Sequence, residues 1–179
     1  TNDGTLMALD AEDGQPCEDF GDAGTVDLKA GLGEGALGVY LPTSPPVVTS
    51  KLVIQGGSIT DNGSVDSPGG VIRAYDVKTG ELVWNFDPGN PDATEPLASG
   101  ETYVRSTPNV WTIPTADEAL GLVYLPMGNQ TPDQWSTPRN ELAERFTATL
   151  VALDLATGKV RWEFQTVHHD LWDLSLIHI

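Results

Sequence analysis

The sequence predicts an all-β chain that forms part of a β-propeller. Three observations predict it: a strand–turn–strand unit that recurs three times, an excess of turn-forming residues, and short apolar runs between the recurrences. Of the 179 residues, 19 are Gly and 13 are Pro. Together they make up about 18% of the chain against roughly 12% in an average protein, an excess that goes with many tight turns.

The recurrence sets the architecture, because an internal repeat decides the fold before any single element does. Ala8-Leu9-Asp10 is followed by Gly14 and Phe20, Ala74-Tyr75-Asp76 by Gly80, Trp84 and Phe86, and Ala152-Leu153-Asp154 by Gly158, Trp162 and Phe164. The hairpins these residues predict cover 7–20, 72–86 and 150–164. In each, Asp bonds the turn backbone through its side chain and Gly takes the positive φ that the turn requires. Trp84 and Trp162 read as blade-packing residues. Pro46-Val47-Val48, Lys51 to Gln55, Leu120 to Leu125 and Thr147 to Leu153 add further strands, giving about four per repeat, which is the unit of a propeller blade. Helical periodicity is weak, and Asn140 to Phe146 is its best candidate, for a turn or two.

Asp10 and Asp76 lie 66 residues apart, Asp76 and Asp154 lie 78 apart, and a compact blade takes about 40–45. The blades therefore carry long inserts, which at a propeller rim build sites. At this period the chain holds two to three blades, whereas closed propellers have about 4–8. The expectation is a piece of a larger propeller, with end blades exposing faces meant for neighbours.

Charge narrows the partners. Nine basic residues against 26 acidic ones give a net charge of −17, and a surface of that sign repels nucleic-acid phosphates and anionic lipid. No nucleic acid is expected as a partner. No run of about 18 apolar residues is present to span a bilayer, and Thr1 to Thr5 lack the basic and apolar regions of a signal peptide. Cys17 is the sole cysteine, so no internal disulfide forms, and nothing beside it activates a thiol.

The inserts carry the most specific patterns. Tyr103-Val104-Arg105-Ser106-Thr107-Pro108-Asn109-Val110-Trp111, Gly121 to Asn129, and Thr166-Val167-His168-His169-Asp170-Leu171-Trp172-Asp173 resemble the quinoprotein dehydrogenases, above all the membrane-bound glucose dehydrogenase type that uses pyrroloquinoline quinone (PQQ). Thr43 to Val48 and Gly69 to Ala74 fit the same pattern, so the resemblance runs from residue 1 to about Asp173. It implies an eight-bladed propeller with tryptophan-type repeats, of which 1–173 is a fragment of the PQQ-binding domain. It also implies oxidation of a sugar or polyol hydroxyl, D-glucose at C1 to the lactone, with electrons passed to ubiquinone. The full-length protein would stand on the periplasmic side of the bacterial inner membrane, touching the membrane through segments outside this sequence. Quinate, shikimate or another polyol is the alternative substrate, and a non-catalytic propeller scaffold for protein assembly is the alternative class. The fragment alone is expected to be inactive.

Site residues follow from the resemblance, each with its own chemistry. Asp173 takes the position of the catalytic base, since oxidation of an alcohol needs a carboxylate to remove the hydroxyl proton; otherwise it closes a turn. Asp61 and Asn129 are the leading ligands for Ca2+ or Mg2+, with Asn62 and Thr131 secondary, because these are hard oxygen donors; a surface turn is the alternative for Asn62. Trp111 takes the place of a flat indole floor beneath the quinone, or else packs a blade. Thr43 and Arg105 would bond the cofactor's carbonyls or carboxylates, for which the planar guanidinium is suited; Arg105 reads equally as a loop anchor. Asp170 reads as structural, or as a support behind the site residues. Adjacent histidines on an extended chain face opposite ways, so His168 and His169 form no transition-metal pair. The tail 174–179 departs from the family pattern and reads as foreign sequence, and His178 receives no role.

Overall fold

The computed structural model describes residues 1–134 and 139–173. The departure of the tail 174–179 from the family pattern lies outside the described residues.

Two four-stranded antiparallel sheets dominate. The first comprises β4 (Val47–Val48), β5 (Leu52–Gln55), β7 (Ile72–Asp76) and β8 (Leu82–Phe86) in that order; the second comprises β9 (Thr115–Asp117), β10 (Leu122–Pro126), β11 (Thr149–Asp154) and β12 (Val160–Gln165). Each is a blade. Two smaller pairs, β1 (Thr5–Met7) with β2 (Thr25–Asp27) and β3 (Tyr40–Leu41) with β6 (Ser58–Ile59), lie against the first blade. The one described helix, α1 (Glu141–Glu144), is a single turn where the sequence predicts one, capped by the Asn140 side chain on the amides of Leu142 and Ala143.

Burial follows the pleat. Ile54, Ile72, Ala74, Trp84 and Phe86 from the first blade meet Val123, Leu125, Met127, Phe146, Val151 and Leu153 from the second in one core. Phe86 stands edge-on to Phe146 with ring centroids 5.1 Å apart, a pair contributing about 0.5–1.5 kcal/mol beyond burial. The opposite face of β7 presents Val71, Tyr75 and the buried Arg73 to a second cluster with Leu28, Leu32, Tyr40 and Tyr103. A sheet covered on both faces loses the in–out alternation, and all of β5 is buried. The second blade is covered on one face: β10 alternates, and on β12 Trp162 is 42% and Phe164 66% exposed.

The repeat residues turn out to be two halves of one contact between blades. Asp76 Oδ1 accepts from Lys78 N and Thr79 N, both at 2.9 Å, bonds that hold its carboxyl below the usual range. Gly80 and Gly158 sit at φ 71° and 69°. Trp84 lies flat on the next turn: a Cβ on Gly158 would come 2.7 Å from the indole, and Trp84 Nε1 donates to Leu155 O at 2.8 Å. One repeat earlier, Phe20 abuts Gly80 and Gly21 N donates to Thr79 O at 2.7 Å. Trp162 holds the same place on β12 but packs only partly, against Tyr124 at 5.9 Å.

The first copy differs from its predicted hairpin. Its turn forms, with Gly14 N donating to Asp10 O at 2.9 Å, but the return strand is reduced to a Leu9–Pro16 bridge. Pro16 has no N–H for a ladder, and β1 pairs with β2 instead.

The Asp–Gly turns leave one end of both sheets, so the inserts leave the other. Residues 56–71, 87–114, 127–134, 139–148 and 166–173 all lie at the Gln55, Phe86, Pro126 and Gln165 end.

Candidate functional site

The inserts bring two carboxyls into contact and a third within electrostatic reach. Asp61, from the first blade, and Asp133, from the second, are in side-chain hydrogen-bonding contact, and Asp173 lies within electrostatic reach of both. Burial pushes the Asp133 carboxyl up to about 8, with the charges of Asp61 and Asp173 adding and Arg139 opposing. Asp61 is also raised, chiefly by burial, with Asp173 adding and the bond to Asp133 opposing. Two carboxyls in contact near neutral pH hold either a shared proton or a cation. Asp133 is 3% exposed and is absent from the sequence-predicted set. Its signal was there: it closes the Gly128–Asp133 run that already contained two predicted ligands.

Asn129 and Thr131 stand on that same run. The Asn129 side chain is saturated. Its Nδ2 donates to Asp133 O and Asp170 O, both at 3.1 Å, while its Oδ1 accepts from Gln130 N at 2.8 Å and Arg139 Nη1 at 3.1 Å. The oxygen expected to face a cation accepts both of these bonds, and the amide ties the two ends of the Asn129–Asp133 loop together. Thr131 is the better fit: its Oγ1 is buried and has no partner among the described residues. Asn62 stands exposed beside Asp61 at φ 56°, a conformation Asn tolerates.

Asp173 is exposed at φ 56°, and the buried Asp170 pins the turn before it, accepting from Trp172 N at 2.9 Å. Asp170 thus holds this turn. His169 Nδ1 contacts Glu144 Oε1 at 2.7 Å and His168 Nδ1 contacts Gln165 Oε1 at 3.1 Å. The two rings take different partners, and no group of three His, Cys, Asp or Glu side chains able to hold a metal occurs among the described residues.

Trp111 is half-buried, with its indole against the Gly128 backbone, where a Cβ would come 3.2 Å from the ring. Gly128 N in turn donates to Asn109 O at 2.8 Å, so the Trp111 and Asn129 segments run side by side. Thr43 Oγ1 donates to Trp111 O at 2.6 Å and Ser44 Oγ to the same oxygen at 2.7 Å. Thr43 thus holds the Trp111 backbone, a role not foreseen for it. Arg105 fills the loop-anchoring alternative: it pairs with Asp66 and donates to Asp66 O at 2.8 Å, Glu34 O at 3.3 Å and Leu32 O at 3.4 Å.

Residues 1–177 match the family described as PQQ, glucose/ethanol/alcohol dehydrogenase, beta-propeller domain. The chain belongs to this family. It is 46% identical over 175 residues to the quinoprotein glucose dehydrogenase of Escherichia coli, covering 98% of this chain and 22% of that protein. It is 45% identical to the quinate/shikimate dehydrogenase (quinone) of Acinetobacter baylyi, again over 98% of this chain and 22% of that protein. Among solved structures, the quinohemoprotein alcohol dehydrogenase of Comamonas testosteroni superposes with a TM-score of 0.70 at 26% identity, over 97% of this chain and 26% of that one. The chain therefore spans about a fifth of the length of the curated relatives it matches.

The residues fit the family's cofactor. The Asp61–Asp133 pair, with Thr131 on the same run as Asp133 and its buried Oγ1 without a partner among the described residues, supplies oxygen donors only, a chemistry suited to a hard divalent cation and unsuited to a soft one. On the neighbouring segments, which the Gly128 N–Asn109 O bond joins, Asn109 Oδ1 and Gln130 Oε1 are buried without partners among the described residues, and the indole of Trp111 is half-buried.

Proposed function

We propose that the full-length protein oxidises a sugar or polyol hydroxyl, with D-glucose at C1 as the leading substrate and the lactone as product. PQQ and a Ca2+ or Mg2+ ion would be its cofactors, and ubiquinone its electron acceptor on the periplasmic side of the bacterial inner membrane. The observation that carries the reading is the contact of Asp61 with Asp133, drawn from inserts of two blades to one end of the sheets, with Asp173 within electrostatic reach of both. When bound, the quinone supplies the two-electron acceptor and the cation polarises it. The chain's own residues do the rest. Asp61, Asp133 and Thr131 hold the cation, with Asn62 at the rim. Trp111 supplies the floor, kept in place by Thr43 and Gly128. Asp173, as carboxylate, takes the substrate's hydroxyl proton, and its position on a short turn pinned by Asp170 fixes where that proton goes.

Nearly equal identity to the glucose and quinate/shikimate enzymes supports a second substrate reading, quinate or shikimate, which a panel of aldoses, polyols and quinate separates. The test of the chemistry is Asp173→Asn in the full-length protein. Quinone uptake, followed by its absorbance during a Ca2+ titration, is expected to persist while turnover falls at least about a hundredfold, the usual scale for a lost general base. Unchanged turnover would remove Asp173 from the role, and a folded wild type that takes up no quinone would sink the whole reading.

A further inference from the structure

We infer that Arg139 is a positioning residue of this site: it locks the Asn129–Asp133 loop to the segment that carries Asp173. The inference rests on the reading that this end of the sheets holds a quinone and a cation.

Arg139 is 6% exposed at its side chain and sits where three segments cross. Its Nη2 donates to Asp133 O at 2.6 Å and its Nη1 to Asn129 Oδ1 at 3.1 Å, gripping both ends of the loop. The same Nη1 pairs with Glu144 Oε2 at 3.3 Å, on α1. Glu144 passes the connection on: its other carboxyl oxygen contacts His169 Nδ1 at 2.7 Å, and its carbonyl accepts from Gln165 Nε2 at 2.8 Å. Asn129 closes the circuit by donating to Asp170 O at 3.1 Å. The loop with Asp133 and the segment ending in Asp173 are thus tied to each other twice, once directly through Asn129 and once through Arg139, Glu144 and His169.

An arginine is needed here for geometric reasons. Serving a loop carbonyl, an amide oxygen and a carboxylate from one buried point takes a planar fork of fixed donors, whereas an ammonium presents one compact charge. Removing the guanidinium leaves Glu144 as a poorly solvated carboxylate and frees the loop to shift against the Asp173 segment. A group that orients metal ligands without touching the metal typically changes affinity by about 10–100-fold when lost.

The experiment uses the full-length protein, with Ca2+ and PQQ as probes and quinone absorbance as readout. Arg139→Ala is expected to raise the Ca2+ concentration for half-maximal quinone uptake by about 10–100-fold, and Arg139→Lys to raise it by an intermediate factor. An open surface depression lined in part by Arg139, Glu144 and His169 gives access from solvent, so millimolar guanidinium is expected to reach the space left in the Arg139→Ala protein and restore uptake, while tetramethylammonium at equal concentration does not. A general loss of stability would not be repaired by that ion. If Arg139→Ala does not fold, Arg139→Lys decides the matter. Wild-type half-saturation in either folded variant, or loss in Arg139→Ala that guanidinium leaves unchanged, would overturn the positioning role. Wild type that takes up no quinone would overturn the functional reading and this inference with it.

Discussion

Binding of a cation at the Asp61–Asp133 pair should expel a proton, and the amount can be worked out. The Asp133 carboxyl is pushed up to about 8 by burial and by its carboxylate neighbours. At pH 7 such a group is about 90% protonated, and at pH 9 about 10%. A divalent ion needs the ionised form, so uptake at pH 7 should release about 0.9 proton and uptake at pH 9 about 0.1. Below pH 8 the apparent affinity should rise roughly tenfold per pH unit. Calorimetry of Ca2+ binding to the full-length protein in buffers of different ionisation enthalpy counts those protons. Asp133→Asn should abolish most of the release and flatten the pH dependence, because it leaves Asp61 without its carboxyl partner. The same shift has a sign for the cation-free protein. Its folded pKa lies above the ordinary carboxylate value, so this group's stabilisation is complete below about pH 4 and is lost as pH rises through about 8. Cation binding with no proton release at pH 7 in the wild type would refute the reasoning, since it would mean the pair is already ionised.

Two further outcomes follow from single contacts. Gly158→Ala places a Cβ 2.7 Å from the Trp84 ring at φ 69°, adding about 1–3 kcal/mol of overpacking to about 1–2 kcal/mol of left-handed strain. Gly14→Ala, at φ 73° with nothing within 4 Å, should pay the strain alone, and equal shifts of the urea midpoint in the two variants would deny the Trp84 contact its weight. Trp111→Ala should weaken PQQ affinity by about 1–3 kcal/mol, the scale of stacking on an aromatic face, with Trp111→Phe retaining most of it; fluorescence titration reads both, and unchanged affinity would remove Trp111 from the floor.

The parts of this chain legible in its sequence are those whose partners are local or repeated. Asp76 finds its partners two and three residues on, so an Asp–Gly spacing is enough to read the turn. Asp61 and Asp173 were singled out because the inserts resemble a known pattern, and the two lie within electrostatic reach of one another. Asp133 was missed because a carboxylate after proline looks like a turn until Asp61, from another blade, is placed against it. Arg105 and Arg139 were opaque for the same reason. A guanidinium suits a carboxylated ligand and a set of loop carbonyls equally well, and only tertiary packing decides, as it does for Arg105 on Asp66, Glu34 and Leu32. Asn129 inverts the case: its residue type suits a cation, but the neighbouring Arg139 and Gln130 amide use its oxygen.

The carboxyl contact is a property of two blades, since Asp61 belongs to one and Asp133 and Asp173 to the next. What sets the angle between those blades is the core between them, the Phe86–Phe146 pair at the insert end and Trp84 against Gly158 at the Asp–Gly turns. Interdigitated cores resist small displacements steeply, so these contacts hold inserts more than a blade apart in sequence to within hydrogen-bonding distance. The repeat and the site are therefore coupled. The Asp, Gly and Trp of the outer turns fix the register between blades, and the inserts at the other end use that register to bring like charges close enough to demand a proton or a cation. This division accounts for why the Asp–Gly spacing stays fixed while the inserts differ in length: the Gly of the turn is where an aromatic side chain of the preceding repeat lands, Phe20 on Gly80 and Trp84 on Gly158.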